Sequence, residues 1–163
     1  MTALSESEIR TDLDAPPISR VHMDLLWLDQ YLHQCRQALQ QGAEVGFPPG
    51  RPVYRRMQEA FDRHQVSIAD LDWAIAVDSI AADAVDLGRR DPARAIGKYR
   101  EALRAAPGCD LYLMSMGSCL AMSGQPEQGL RYLERAAEIN PLDEQIATNL
   151  SDCRRYLRDR RGH

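Results

Sequence analysis

Lysine is almost missing from this chain: Lys98 stands alone, and every other residue of the 20 counted as Lys or Arg is arginine. Against 24 acidic residues this leaves a net charge of −4, which argues against a general binder of phosphate backbones and so against a nucleic-acid partner. The preference for arginine reads as a coding bias, not as chemistry. Long apolar runs are missing too. None approaches the ~18 residues that a spanning helix needs. The opening MTALSESEIRTDLDAPP has neither the basic flank nor the apolar stretch of a signal peptide. The expectation is a cytoplasmic protein with no membrane partner. Cysteine is scarce and wrongly spaced for zinc: Cys35, Cys109, Cys119 and Cys153 form no CxxC pair and no Cys/His cluster. They read as reduced thiols serving as small core hydrophobes. A glycine-rich phosphate loop and paired metal ligands are also lacking. His22 and His33 share no helix face, and His64 falls at a helix end. The GSC around Cys119 lies in a repeat where packing explains it. No cofactor, no metal and no catalytic activity are expected.

What the chain does have is helical punctuation. Its 163 residues, 44% hydrophobic and 27% charged, are one globular domain's worth. Ser19 can cap a helix reaching about Gln41, whose Val21, Leu25, Leu28, Leu32, Cys35 and Leu39 make a heptad-like seam. That seam suits either packing on the body of the same domain or pairing two copies as a homodimer through helix 19–41. GAEVGFPPGRP breaks the helix. Pro52 opens a second one through about His64, and Ser67 with Asp70 fits a capping box for a third that stops at LGRRDP. No alternating strand pattern is found, so the fold class is all-α.

From Asp91 onward the chain repeats itself. DPARAIGKYREALRAAP and QPEQGLRYLERAAEINP superpose at one fixed offset, with Pro92 on Pro126, Ala95 on Gly129, Ala102 on Ala136 and Pro107 on Pro141. Past the proline, the same offset puts Met116 on Leu150, Gly117 on Ser151 and Cys119 on Cys153. Gly117 lies midway along the first helix of its unit, where the second helix must approach closely. Gly129 and Ala136 supply the matching small surface. Gly124 suits the turn, and Pro141 ends one hairpin and starts the next.

A helix–turn–helix unit of this period, about 34 residues, resembles the tetratricopeptide repeat family. The resemblance implies a short α–α superhelix with two hairpins over 76–143 and a capping helix with a basic tail over 144–163; ahead of it the chain reads as a flexible acidic arm over 1–18 and helices over 19–75 packing on the repeats. It also implies a concave face lined by Val77, Ile80, Ala84, Leu111, Met114, Ser118, Met122, Thr148, Asn149 and Asp152, an apolar groove for a peptide or helix of a partner protein. The family's clamp for a C-terminal carboxylate needs Lys, Arg and Asn, of which only Asn149 is in place. In size, acidity and order of elements the chain looks like the small tetratricopeptide chaperones of bacterial type III secretion. The expected function is therefore a non-catalytic adaptor or chaperone. The alternatives are an oligomerisation module whose groove is covered by its own N-terminal helix, and an auxiliary subunit of an enzyme complex.

Overall fold

A computed structural model describes residues 3–162; Met1 and Thr2 of the expected arm and His163 of the tail lie outside the described residues. Among the described residues there are nine α-helices, one 3-10 turn and no strand. They divide into two units, one within 1–17 and 80–163 and the other within 18–79. One helix, α5 (Ile68–Arg90), contributes to both.

The larger unit holds the repeat. Its helices are α1 (Glu6–Asp14), the end of α5, α6 (Pro92–Ala105), α7 (Asp110–Met122), α8 (Pro126–Ile139) and α9 (Glu144–Arg161). Helices α6 and α8 begin on prolines one period apart, Pro92 and Pro126, and have equal length. Their C-terminal neighbours Ala106 and Asn140 share one backbone conformation, with φ −134° in both and ψ 75° and 76°. Helices α7 and α9 begin one period apart as well, at Asp110 and Glu144. The period in the sequence is thus a period in backbone geometry. Between α7 and α8 the turn passes through Gly124 at φ +84°, a conformation that residues with a Cβ rarely adopt.

The α7–α8 hairpin closes on two glycines. A methyl group on Gly117 would come within 2.8 Å of the Gly129 carbonyl oxygen and 2.8 Å of the Leu133 side chain. One on Gly129 would come within 2.5 Å of the Gly117 carbonyl oxygen. Leu113, Met116, Leu120, Leu133 and Ala136 are buried around this crossing. At the open end of the hairpin, Asn140 Nδ2 donates to the buried Asp110 carboxylate at 2.8 Å, joining the exit of α8 to the entrance of α7.

Residues 1–18, expected to be a flexible acidic arm, contain the ordered helix α1. Its cap is reciprocal: the Glu8 backbone N–H donates to Ser5 Oγ, and the Ser5 backbone N–H donates to Glu8 Oε2. Ile9 is buried, and so is Asp12, whose Oδ2 accepts from Arg100 Nε at 2.9 Å and from the Tyr132 hydroxyl at 2.7 Å. Arg100 also donates to Glu8 at 2.8 Å, and Arg131 holds Glu6 through two hydrogen bonds of 2.8 and 3.0 Å. Gln128 donates to the Leu4 carbonyl, and Gly108, at φ +66°, lies against Pro17. Glu6, Glu8 and Asp12 are therefore paired with arginines of α6 and α8, and Asp12 alone of the three is withdrawn from solvent.

The smaller unit corrects a second expectation. Ser19 caps as expected, with the His22 N–H donating to its Oγ at 3.2 Å, but the helix 19–41 is not continuous. It splits into α2 (Arg20–Trp27), a 3-10 turn (Asp29–Tyr31) and α3 (Leu32–Gln41), with Asp29 at φ +44°. The cause is the apolar pattern. Met23, Leu25, Leu26, Trp27 and Leu28 are all buried, and a straight helix with a single seam would leave half of them in water. Leu25, Leu28, Leu32 and Cys35 are each at most 2% exposed, so these four seam positions have no apolar surface left for a homodimer. Helix α4 (Pro52–Asp62) packs on α2, and Arg56 makes two hydrogen bonds to the buried Asp24. The 42–51 linker is pinned by Phe47, which stacks on Tyr54 and meets Tyr31 edge-on.

In α5 the Ser67–Asp70 capping box forms as expected. His22 Nε2 also lies 2.8 Å from Asp70. The contact with His22, followed by the backbone N–H of Ser67, lowers the Asp70 pKa below its ordinary value. A carboxylate with a depressed folded pKa contributes stability that is complete at neutral pH. That contribution is lost as pH falls from about 3.9 through the folded value. Asp70→Asn is therefore expected to flatten the loss of stability below about pH 4 in an acid titration followed by circular dichroism. An unchanged acid limb would contradict this.

Candidate protein-binding surface

Three of the residues expected to line an apolar groove are not available at the surface. Met114 is 4% exposed, and Val77 and Ala84 are buried as well. Val77 falls in the smaller unit and the others in the larger. Leu111, Ser118 and Asn149 are half-buried, while Ile80, Met122, Thr148 and Asp152 are exposed. Fewer apolar residues of the expected face thus reach the surface than its sequence suggests.

What the larger unit does present is a stripe on α7 and α9, away from the glycine crossing. On α7 the spacing Leu111, Ser115, Ser118, Met122 follows one helix face. Ser118 turns its hydroxyl back to the Met114 carbonyl at 3.0 Å and accepts from Asn149 Nδ2 at 3.2 Å. That bond fixes the side-by-side register of α7 and α9. Thr148 likewise bonds back to the Glu144 carbonyl at 2.8 Å. One turn beyond Ser118 stands Met122, 66% exposed; two turns beyond Asn149 stands Tyr156, 52% exposed. These two are separated by one full period and so occupy equivalent places in the repeat. Tyr156 carries the Arg160 guanidinium over its ring at 5.8 Å, and Arg155 pairs with Asp152 at 2.7 Å. Tyr156 is not among the expected site residues; adding the period to Met122 finds it.

The thiols are poorly suited to nucleophilic work. All four cysteines are buried. Burial pushes the Cys119 and Cys35 thiols up to about 11, and Cys153 up as well. Among the described residues, no three His, Cys, Asp or Glu side chains are grouped so as to hold a metal ion. Within the same residues no helix is long and apolar enough to cross a membrane.

Compared with models of known families, with curated proteins and with solved structures, the chain matches none.

Proposed function

We propose that this chain is a non-catalytic protein-binding module of the tetratricopeptide kind, an adaptor or chaperone working in the cytoplasm. It holds a peptide or helical segment of a partner on the α7–α9 stripe. The observation that carries the reading is the pair Met122 and Tyr156, two large apolar side chains left in water at equivalent positions of a periodic helical array. Exposed large apolar groups that recur with the scaffold's own period give an extended segment evenly spaced anchors. Methionine adapts to an irregular surface, and tyrosine combines an apolar ring with a polar tip. Ser118, Asn149 and Asp152 between them supply polar groups for a bound backbone. The layout resembles that of the small bacterial secretion chaperones, which suggests a secreted or membrane-bound protein as the client.

The test begins with capture of a partner from the native host and reduction of its bound segment to a synthetic peptide. Met122→Glu and Tyr156→Glu are each expected to weaken that peptide by about tenfold in calorimetry. The thermal midpoint should barely move, since both side chains are exposed in the free protein. Full affinity in the double variant would remove the stripe from the proposal.

A further inference from the structure

The apolar pair of the α7–α9 stripe has a polar border on one side and a cation on the other. Met122 and Tyr156 stand one period apart, at equivalent places on two neighbouring helices. Met122 is 66% exposed even though α8 and α9 follow it, so openness at this place in the period belongs to the face itself. One turn before the pair lie Ser118 and Asp152, both already engaged: Ser118 accepts from Asn149, and Asp152 pairs with Arg155. One turn beyond the pair, α7 has ended. Helix α9 continues to Arg161 and puts Arg160 four residues after Tyr156, on the same helix face.

The cations of α9 differ in what they already hold. Arg154 is taken by Glu134 and Arg155 by Asp152. Arg160 is exposed and lies over the Tyr156 ring, its Cζ 5.8 Å from the centroid. Among the described residues no carboxylate pairs with it, its neighbour Asp159 included. A guanidinium over an aromatic face has its N–H edge left for other partners, and that planar fork fits a carboxylate through two parallel hydrogen bonds. The ring also holds the side chain before a ligand arrives, which lowers the ordering cost of binding. The carbonyls that end α9 carry roughly half a negative charge. Arg158, Arg160 and Arg161 in that last turn outweigh them, so this end of the stripe attracts an anion.

We infer that Arg160 makes the stripe selective for an acidic segment. The partner chain that seats apolar side chains on Met122 and Tyr156 carries an Asp or Glu beside the residue on Tyr156, and Arg160 holds that carboxylate. This rests on the stripe being the binding surface. The carboxylate comes from a side chain and not from a chain end. Arg160 stands one helical turn, about 5.4 Å, beyond the apolar pair. An Asp or Glu side chain reaches that far from a backbone lying across Met122 and Tyr156, whereas a terminal carboxylate would stay in line with the backbone.

The probe is a library of random peptides, displayed with their C-termini fused to the carrier so that none has a free terminal carboxylate, and selected on the full chain. Peptides recovered by the parent, but not by the double variant Met122→Glu, Tyr156→Glu, are expected to be enriched in Asp or Glu next to an apolar residue. On Arg160→Glu the enrichment should pass to Lys or Arg. Made as amidated synthetic peptides, the parent's selections should bind Arg160→Gln about fivefold more weakly. Exchanging their own Asp or Glu for Asn or Gln should weaken binding to the parent by the same factor and leave binding to Arg160→Gln unchanged. Arg160 is exposed, so the thermal midpoint of each variant should stay in place. Peptides that need Met122 and Tyr156 but show no acidic preference, or a preference that ignores Arg160, overturn this inference and leave the stripe standing. Equal affinity for a peptide whose sole carboxylate is its own C-terminus would overturn it as well, by assigning Arg160 to chain ends. Peptides held equally by the double variant, or none recovered by the parent, would overturn the stripe and this inference with it.

Discussion

Gly117→Ala and Gly129→Ala are each expected to destabilise the protein by about 2 kcal/mol, while Gly97→Ala stabilises it by roughly 0.5–1 kcal/mol. All three glycines sit inside helices, where exchange for alanine ordinarily gains stability by restricting the unfolded chain. Gly97 follows that rule because nothing lies within 4 Å of its added methyl group. Gly117 and Gly129 reverse it. Their methyl groups would meet backbone oxygen of the opposing helix at 2.8 and 2.5 Å, and backbone cannot swing aside as the end of a side chain can. The hairpin must separate, and Leu113, Leu120 and Leu133 then lose contacts in a close-packed interior. Urea denaturation of the three variants checks this. A common sign for all three would show that the crossing is not what makes these glycines necessary.

Asp12→Ala should cost about 3 kcal/mol and should release α1. The carboxylate is nearly inaccessible, and Arg100, its partner at 2.9 Å, keeps only 13% of its side-chain exposure. Removing it leaves the half-buried Arg100 charge with Glu8 as its remaining carboxylate partner and the Tyr132 hydroxyl without its acceptor. Burial, and then the hydrogen bond to Asp12, push the Tyr132 pKa upward, so its proton stays on and continues to donate at any ordinary pH. For Arg100, burial pulls the pKa down, but the hydrogen bond and charge of Asp12 outweigh it, and the net shift is upward. Asp12→Asn, which keeps the shape and one acceptor, should cost less than Asp12→Ala. Hydrogen exchange locates the effect: amides of α1 should lose protection while those at the α7–α8 crossing keep theirs. Unaltered protection of α1 in Asp12→Ala would mean that its apolar contacts through Ile9 suffice without the ion pair.

The unequal legibility of these features has a physical cause. The α7–α8 hairpin can be read because its determinants are local and periodic: two glycines on facing helices of one hairpin, prolines at the first turns, and a second copy one period earlier. The α1 cap is equally readable, since Ser5-x-x-Glu8 precedes the apolar pair Ile9 and Leu13, but composition alone suggests a solvated arm. Its docking is not readable. Asp12 meets Arg100 and Tyr132 across 88 and 120 residues, and acidic residues near a terminus usually face water.

The candidate surface is legible in part. Residues of one α7 face can be listed from spacing, and the period of the repeat projects Met122 onto Tyr156. Whether Val77, Ala84 or Met114 stays accessible depends on which helix stands over it, and no periodicity states that. The break at Asp29 is similar. A seam can be counted along the chain, but the burial of Met23, Leu26 and Trp27 on other sides requires neighbours that arrive only on folding. The sequence by itself determined the helices of the repeat, the period of their repetition and the two glycines on which a hairpin closes, because these rest on steric limits within a few turns of backbone. Tertiary structure alone decided where the acidic segment goes and which apolar residues remain in water, because burial belongs to a pair of surfaces and only one of them is written in any local stretch of chain.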